Sequence, residues 1–234
     1  MIDIHCHLLY GVDDGAKTWQ ESLELLQEAK AQGVEKIICT PHYREGMFVY
    51  RQESMKARFH RLKEIGDRLG IELFPGMECY GDDRLLVYLQ QGRCITLAGS
   101  DYVLVEYSHD ITKEELWRSC GNLTAHGYIP VVAHVERYHR VCKDTEFLKK
   151  LRELGGRIQI NAGSVIGQHG WSCKRICRAL LKEGVADIVA SDTHGVKHRR
   201  NHMKQCRTYL AGKYGEMYAG DLMERIPQEI LENR

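Results

Sequence analysis

The chain has 234 residues, with 33 Lys plus Arg against 32 Asp plus Glu, for a formal net charge of +1. That balance argues against a nucleic-acid coat or a membrane-surface binder, which carry a clear basic excess. Hydrophobic residues make up 43% and charged residues 28%, which excludes a disordered chain and leaves enough apolar material for a core that needs no disulfide or metal to hold it.

Seven short apolar, β-branched runs recur along the chain, at 2–4, 36–40, 71–74, 102–105, 129–133, 157–160 and 186–190. They read as buried strands. Helical patterns lie between them. The first follows Thr18, with Trp19, Leu23, Leu26 and Ala29 on one face and Glu21 at capping-box spacing. Others span 50–69, 112–126, 144–154, 172–183 and 198–212, the second of these opening on the box Thr112 and Glu115. Glycine follows several helical stretches, as at Gly33, Gly70, Gly127, Gly155 and Gly184. Strand and helix alternating at this density predict a parallel sheet. With no linker, repeat or low-complexity tract, the expectation is one domain over 1–234.

The N-terminus carries no basic or long apolar segment, and no run approaches the roughly 20 apolar residues of a membrane span. The cysteines number 9, an odd count with no CxxC pair. Cys173 and Cys177, four apart on a predicted helix, read as half-buried apolar residues. Reduced thiols point to the cytoplasm.

The residues just after each apolar run are more informative. His5 and His7 follow the first, His42 the second, Glu78 the third, Glu106 the fourth, His134 the fifth, and Asp192 with His194 the seventh; the sixth ends in Asn161. Carboxyl ends of parallel strands are where such folds place chemistry. Polar residues from nearly every strand converge only if the sheet closes, so a barrel is favoured over an open sheet. Period-two alternation sets His5 and His7 on one side with Cys6 facing away, and Asp192-x-His194 repeats that geometry. Imidazole and carboxylate donors suit Zn, Mn, Fe or Co and not a thiolate-preferring ion.

His5-x-His7, Gly11-Val-Asp-Asp-Gly15, Thr40-Pro-His-Tyr43, Gly76-Met-Glu78, Glu106, Ala133-His-Val-Glu-Arg-Tyr138 and Ser191-Asp-Thr-His194 together resemble the polymerase-and-histidinol-phosphatase (PHP) superfamily. Within it the chain is similar to the bacterial manganese-dependent protein-tyrosine phosphatases of capsular and exopolysaccharide operons, over essentially its whole length. The resemblance implies a distorted (β/α)7 barrel with its active site at the C-terminal ends of the strands. It implies three divalent ions, manganese first and Fe, Zn or Co as alternatives. One would sit on His5, His7, Glu78 and Asp192, a second on Glu78, Glu106 and His134, and a third on Asp14, His42 and His194. Arg137 and Arg199 match the family's phosphate-binding arginines, although Arg200 stands next in line. The implied partner is a phosphotyrosine protein, a bacterial tyrosine kinase controlling polysaccharide export. Three positions depart from the family pattern without removing a ligand. Tyr10 and Val135 stand where proline is expected, and Ile226-Pro227 replaces Asn-Pro.

The expected reaction is hydrolysis of a phosphate monoester by a metal-activated hydroxide, with Arg137 and Arg199 neutralising the equatorial oxygens. Cysteine-based tyrosine phosphatase chemistry needs Cys, five residues, then Arg, and no cysteine here has that spacing. A Walker-type phosphate loop is absent as well. The rival readings are a small-molecule phosphatase, such as one for histidinol phosphate, and a non-catalytic metal-binding scaffold that docks a kinase. A nucleic-acid role lacks both an extra domain and a basic balance. Three ions would bring six positive charges to four carboxylates, so a phosphate could be attracted by a nearly neutral chain.

The remaining features have plainer readings. Asp13 shapes the Asp-Asp-Gly turn, and His109 is a solvated loop residue. His60, His126, His139, His169, His198 and His202 lack motif context and are assigned surface or capping roles. The basic stretch 197–207 reads as a loop and a solvated helix face, with attraction of an anionic substrate as the alternative that Arg199 supports. Tyr43, Phe48 and Tyr50 either wall a phenyl ring or pack their loop.

Overall fold

In a computed structural model, which describes residues 1–48 and 51–233, the apolar runs become strands β1 (Ile2–Cys6), β2 (Lys36–Cys39), β3 (His42–Tyr43), β4 (Glu72–Pro75), β5 (Glu78–Tyr80), β6 (Tyr102–Glu106), β7 (Ile129–Val132), β8 (Arg157–Asn161) and β9 (Ile188–Ala190). All the ladders are parallel, in the orders β1-β2-β4 and β3-β5-β6-β7-β8-β9. β2 leads into β3 across Thr40-Pro41, and β4 into β5 across Gly76-Met77. Each pair of segments is one stave broken at the same level, where Pro41 has no N–H to give. The seven runs therefore make seven staves. Cys6 bridges Thr193 in parallel. Beside it Asp192 N donates to His5 O at 2.8 Å and His7 N to Thr193 O at 3.0 Å, so the last stave meets the first. The result is a distorted (β/α)7 barrel.

The two faces of the staves feed two cores. Ile2, Ile4, Ile38, Phe74, Leu104, Val131, Ile188 and Ala190 fill the interior. Ile37, Cys39, Leu73, Val103, Val105, Val132, Ile160 and Val189 face the helices. Each fully buried Leu or Ile contributes roughly 1.5–3 kcal/mol. Strict alternation would put His5 and His7 opposite Ile2 and Ile4, which fill the interior. β1 resolves this with one extra residue between Asp3 and Cys6, relative to β2. Such a bulge re-aims side chains: Ile4 and then His5 and His7 share the inner side, while Cys6 packs outward.

The helices are α1 (Trp19–Ala31), α2 (Gln52–Leu69), α3 (Leu85–Gln90), α4 (Lys113–Ala125), α5 (Thr145–Glu153), α6 (Ala162–Ile166), α7 (Trp171–Lys182), α8 (Met203–Tyr214), α9 (Glu216–Gly220) and α10 (Ile226–Glu232). Thr18 caps α1 by accepting from Glu21 N, and Thr112 with Glu115 closes the full capping box of α4. The buried stripe of α1 is rotated from the expected one, to Ser22, Leu25, Leu26 and Ala29. The Ser22 hydroxyl donates to the Leu8 carbonyl. Trp19 instead packs edge-on against Tyr10 under Arg61. α2 ends at Gly70 with φ 68, the left-handed conformation glycine supplies.

α3, α6, α9 and α10 were not among the predicted helices. α10 starts with Pro227 in its first turn and brings Ile230 and Leu231 into the interior core. Lys36 Nζ donates to Gln228 Oε1, and Asp101 N to Asn233 Oδ1. Lys36 begins β2 and Asp101 precedes β6, so α10 covers the N-terminal end of the barrel. The opposite end is left for chemistry. No described helix is long and apolar enough to cross a membrane.

Candidate metal centre

At the C-terminal ends of the staves the predicted ligands converge. His5, His7, Glu78 and Asp192 form one group whose donor atoms lie within 4.8 Å of one another. His42, Glu78 and Glu106 form a second, and His7, Asp14, His42 and His194 a third. His134 Nε2 reaches Glu78 Oε1 at 3.0 Å. The groupings differ from the expected ones in three respects, the first being that His134, expected beside Glu78 and Glu106, falls in none of the three groups. His42 accompanies Glu78 and Glu106, and His7 joins Asp14, His42 and His194. The broken staves explain the place of His42: β3 pairs β5 with His42 opposite Glu78, so the two side chains rise together.

Glu78 is at the centre. Its Oε2 has His42 Nδ1 at 3.0 Å, His5 Nε2 at 3.1 Å and His7 Nε2 at 3.3 Å. Yet this buried oxygen accepts no hydrogen bond from any described residue. Buried carboxylate oxygens are ordinarily hydrogen-bonded. Several imidazole nitrogens gathered about one carboxylate oxygen are what a borderline cation requires. The donor set fits divalent ions.

The electrostatics agree. Burial would lower the pKa of His5, but the Glu78 and Asp192 carboxylates overcome it and push it up to about 9. His42, also buried, is raised to about 11 by Glu78 and Glu106. Burial works to raise Glu78, yet the charges of His5 and His42 hold it well below the carboxylate range. Asp192 is likewise held down, against burial, by Arg199 and Arg137. The His194 ring, its Nε2 at 3.3 Å from Asp14 Oδ1, holds Asp14 low. Burial, and then the charge of His7, push His194 down to about 4. This is a compact set of opposed charges, with protons standing where cations would bind.

A second set of residues fixes the ligands. Asp13 Oδ2 lies 2.7 Å from His7 Nδ1 and accepts from His42 N at 2.9 Å, while its Oδ1 accepts from Gly15 N at 2.9 Å. Asp13 thus shapes the turn as expected and also orients a ligand, which was not expected. A Cβ on Gly15 would stand 2.4 Å from both His7 Cβ and His7 O, so the turn tolerates only glycine there. Gln159 Oε1 faces His5 Nδ1 at 3.2 Å and accepts from His134 N at 2.9 Å. Its Nε2 donates to Asn161 Oδ1, and Asn161 Nδ2 donates to Asp192 Oδ2 at 2.7 Å. Gln159 was missed. Its only sequence signal is a polar residue at an inner position of an apolar strand.

Strain marks the same place. Non-glycine residues with φ in the left-handed range include His134 (φ 34), Asp192 (φ 52) and Arg199 (φ 50). Such conformations cost of order 1–3 kcal/mol and cluster at functional sites. Val135 is fully buried and starts the short helical turn Val135–Arg137, so this turn forms without the proline expected there.

Arg137 reaches Asp192 Oδ2 at 3.1 Å and Arg199 reaches Asp192 Oδ1 at 2.7 Å. Arg200 turns away to Glu28, with Nε and Nη2 both on Oε1. Of the two neighbours, Arg199 is the one directed toward the gathered carboxylates. Phe48 stacks on the His42 ring, with centroids 5.2 Å apart and 13° between planes. Tyr43 is buried, bonds Glu45 and meets Tyr88 edge-on. Tyr43 therefore packs its loop, Phe48 borders the site, and Tyr50 lies outside the described residues. His109 is exposed, and His126 bonds the Asn122 carbonyl near the end of α4. Among the described residues every cysteine is a free thiol.

The chain is similar over its whole length to known proteins. The family described as capsular polysaccharide synthesis, CpsB/CapC, matches residues 1–232. The chain is 33% identical over 238 residues to the tyrosine-protein phosphatase CpsB of Streptococcus pneumoniae, covering 99% of this chain and 98% of that protein. It is 31% identical over 235 residues to the tyrosine-protein phosphatase YwqE of Bacillus subtilis, covering 100% of this chain and 89% of the other. A crystal structure from work on YwqE and CpsB, there called metal-dependent tyrosine phosphatases, superposes with a TM-score of 0.91 at 30% identity, covering 100% of this chain and 95% of that one.

Proposed function

The chain belongs to the CpsB/CapC family of capsular polysaccharide synthesis, and from that membership we propose that it is a metal-dependent tyrosine-protein phosphatase. The observation that carries the reading is the Glu78 carboxylate, with three imidazole nitrogens within 3.3 Å of one oxygen and no hydrogen bond to it from a described residue.

Three divalent ions are proposed, manganese first. His5, His7, Glu78 and Asp192 would hold one. Glu78, Glu106 and His134, with His42 beside them, would hold the second. Asp14, His42 and His194 would hold the third. When bound, such ions supply Lewis acidity and bring the pKa of water toward neutrality.

The chain's own residues do the rest. Asp13 and Gln159 set the orientation of His7 and His5. Arg137 and Arg199 lean on Asp192, and their planar donor forks suit phosphoryl oxygens. Phe48 offers a flat apolar wall on which the phenyl ring of phosphotyrosine can rest. A phenolate leaves with a pKa of about 10 and asks less of a proton donor than an alkoxide does. The proposed substrate is a phosphotyrosine protein of the same polysaccharide system, a bacterial tyrosine kinase, encountered in the cytoplasm by one catalytic domain.

The test compares Mn²⁺-loaded protein on a phosphotyrosine peptide and on histidinol phosphate, with and without chelator. Hydrolysis of the peptide that chelator abolishes is expected. Preference for the alkyl phosphate would overturn the tyrosine assignment, and activity that survives chelation would overturn the metal reading.

A further inference from the structure

One imidazole near the arginines is not accounted for by the metal groups. His169 lies between α6 and α7 and is only partly exposed, although it carries no motif. Its Nδ1 is 3.0 Å from Ser164 Oγ. Ser164 is fully buried, and no other described acceptor takes its hydroxyl proton. The hydroxyl therefore donates to Nδ1, and the ring proton belongs on Nε2. No described residue bonds that Nε2–H.

The ring leans on Gly163. A Cβ there would stand 2.9 Å from His169 Cε1, 3.0 Å from its Nε2 and 3.4 Å from His202 Cδ2. Gly163 comes two residues after Asn161, whose amide holds Asp192 Oδ2, the oxygen that Arg137 also reaches. Glycine thus lets the imidazole pack closely against the segment whose first residue, Asn161, holds the arginine-bound carboxylate. Burial, and then the charges of Arg137, Arg199 and His202, push His169 down to about 4, with Asp192 opposing them. The side chain is a neutral donor at physiological pH.

We propose that His169 is a third phosphate-binding residue, whose Nε2–H donates to an oxygen of the phosphoryl group held by Arg137 and Arg199. The inference rests on the phosphatase reading for the identity of the ligand, a phosphate monoester or inorganic phosphate.

The experiment titrates inorganic phosphate into Zn²⁺-loaded protein, following heat and the His169 Cε1–H resonance. In the wild type the resonance should move on saturation. His169→Ala should weaken phosphate binding about 10-fold, the scale of a lost hydrogen bond to a charged group, with metal content unchanged and a modestly lower Tm because the buried Ser164 hydroxyl loses its acceptor. His169→Gln should recover part of the loss through its amide donor. With a phosphotyrosine peptide, the alanine variant should raise KM by more than it lowers kcat. Unchanged phosphate affinity in a fully metallated His169→Ala overturns the proposal, and so does a resonance that stays still. If His169→Ala loses metal, the wild-type spectrum decides alone. A wild type that binds phosphate but leaves the peptide intact sinks the tyrosine reading while the titration still judges His169.

Discussion

Asp13 Oδ2 stands 2.7 Å from His7 Nδ1 and 2.9 Å from the backbone N of His42, so one carboxylate oxygen sets the ring of one candidate ligand and the backbone of another. Outer partners of this kind typically change metal affinity by about 10–100-fold when removed. Asp13→Ala should weaken Mn²⁺ binding by that order, as read by titration with elemental analysis. A variant that binds manganese like the wild type would show that the pair is incidental.

Arg199 and Arg200 are neighbours with opposite directions, one on Asp192 and one on Glu28. Losing a charged hydrogen bond to phosphate costs about 1.5–3 kcal/mol, roughly 10–150-fold. Arg199→Ala should lower kcat/KM on a phosphotyrosine peptide by that factor, and Arg200→Ala should stay within about 2-fold, as expected of an exposed pair. The reverse ranking would refute the assignment.

Gly15 backs directly onto His7. Gly15→Ala must displace the turn or the ligand, and overpacking of this kind costs about 1–3 kcal/mol. The expected outcome is a lower Tm together with substoichiometric metal. Full metal occupancy at the wild-type Tm would mean that the turn yields freely.

Metal uptake should depend on pH. With His5 raised to about 9 and His42 to about 11, both imidazoles hold protons at neutral pH when no ion is present, and an ion must displace them. Between pH 6 and 8 the apparent affinity should therefore rise with pH, by about 10-fold per unit for each proton released. Calorimetry in buffers of different ionisation enthalpy counts the protons. A flat affinity profile with no proton release would contradict the site's electrostatics.

Phe48 stacked on His42 predicts a selective effect. Phe48→Ala should raise KM for aryl phosphates about 2- to 13-fold, an aromatic contact being worth about 0.5–1.5 kcal/mol, and leave inorganic phosphate inhibition unchanged. Equal losses for both would place its role in holding His42.

Much of this was legible in the sequence because it is encoded locally. The apolar runs, their spacing, and the His, Asp or Glu after six of them depend on residues a few positions apart. Seven parallel staves and a ligand-bearing end followed from that pattern, and the cysteines could be set aside by spacing alone. The rotation of the α1 stripe was less legible, since the Leu8 carbonyl that recruits Ser22 lies outside the helix. α10 lacks a long amphipathic period and owes its place to the barrel floor it covers.

The sequence by itself determined the alternation of strand and helix, the donor types at the strand ends, and the absence of a cysteine nucleophile loop. Tertiary structure alone decided which donors share a group. The extra residue in β1 turned His5 and His7 inward, the paired breaks in two staves set His42 opposite Glu78, and Glu28 drew Arg200 away. Gln159 meets His5 across 154 positions of chain. Side-chain type is a local property, whereas convergence depends on register and on contacts between distant segments, which only the closed sheet establishes.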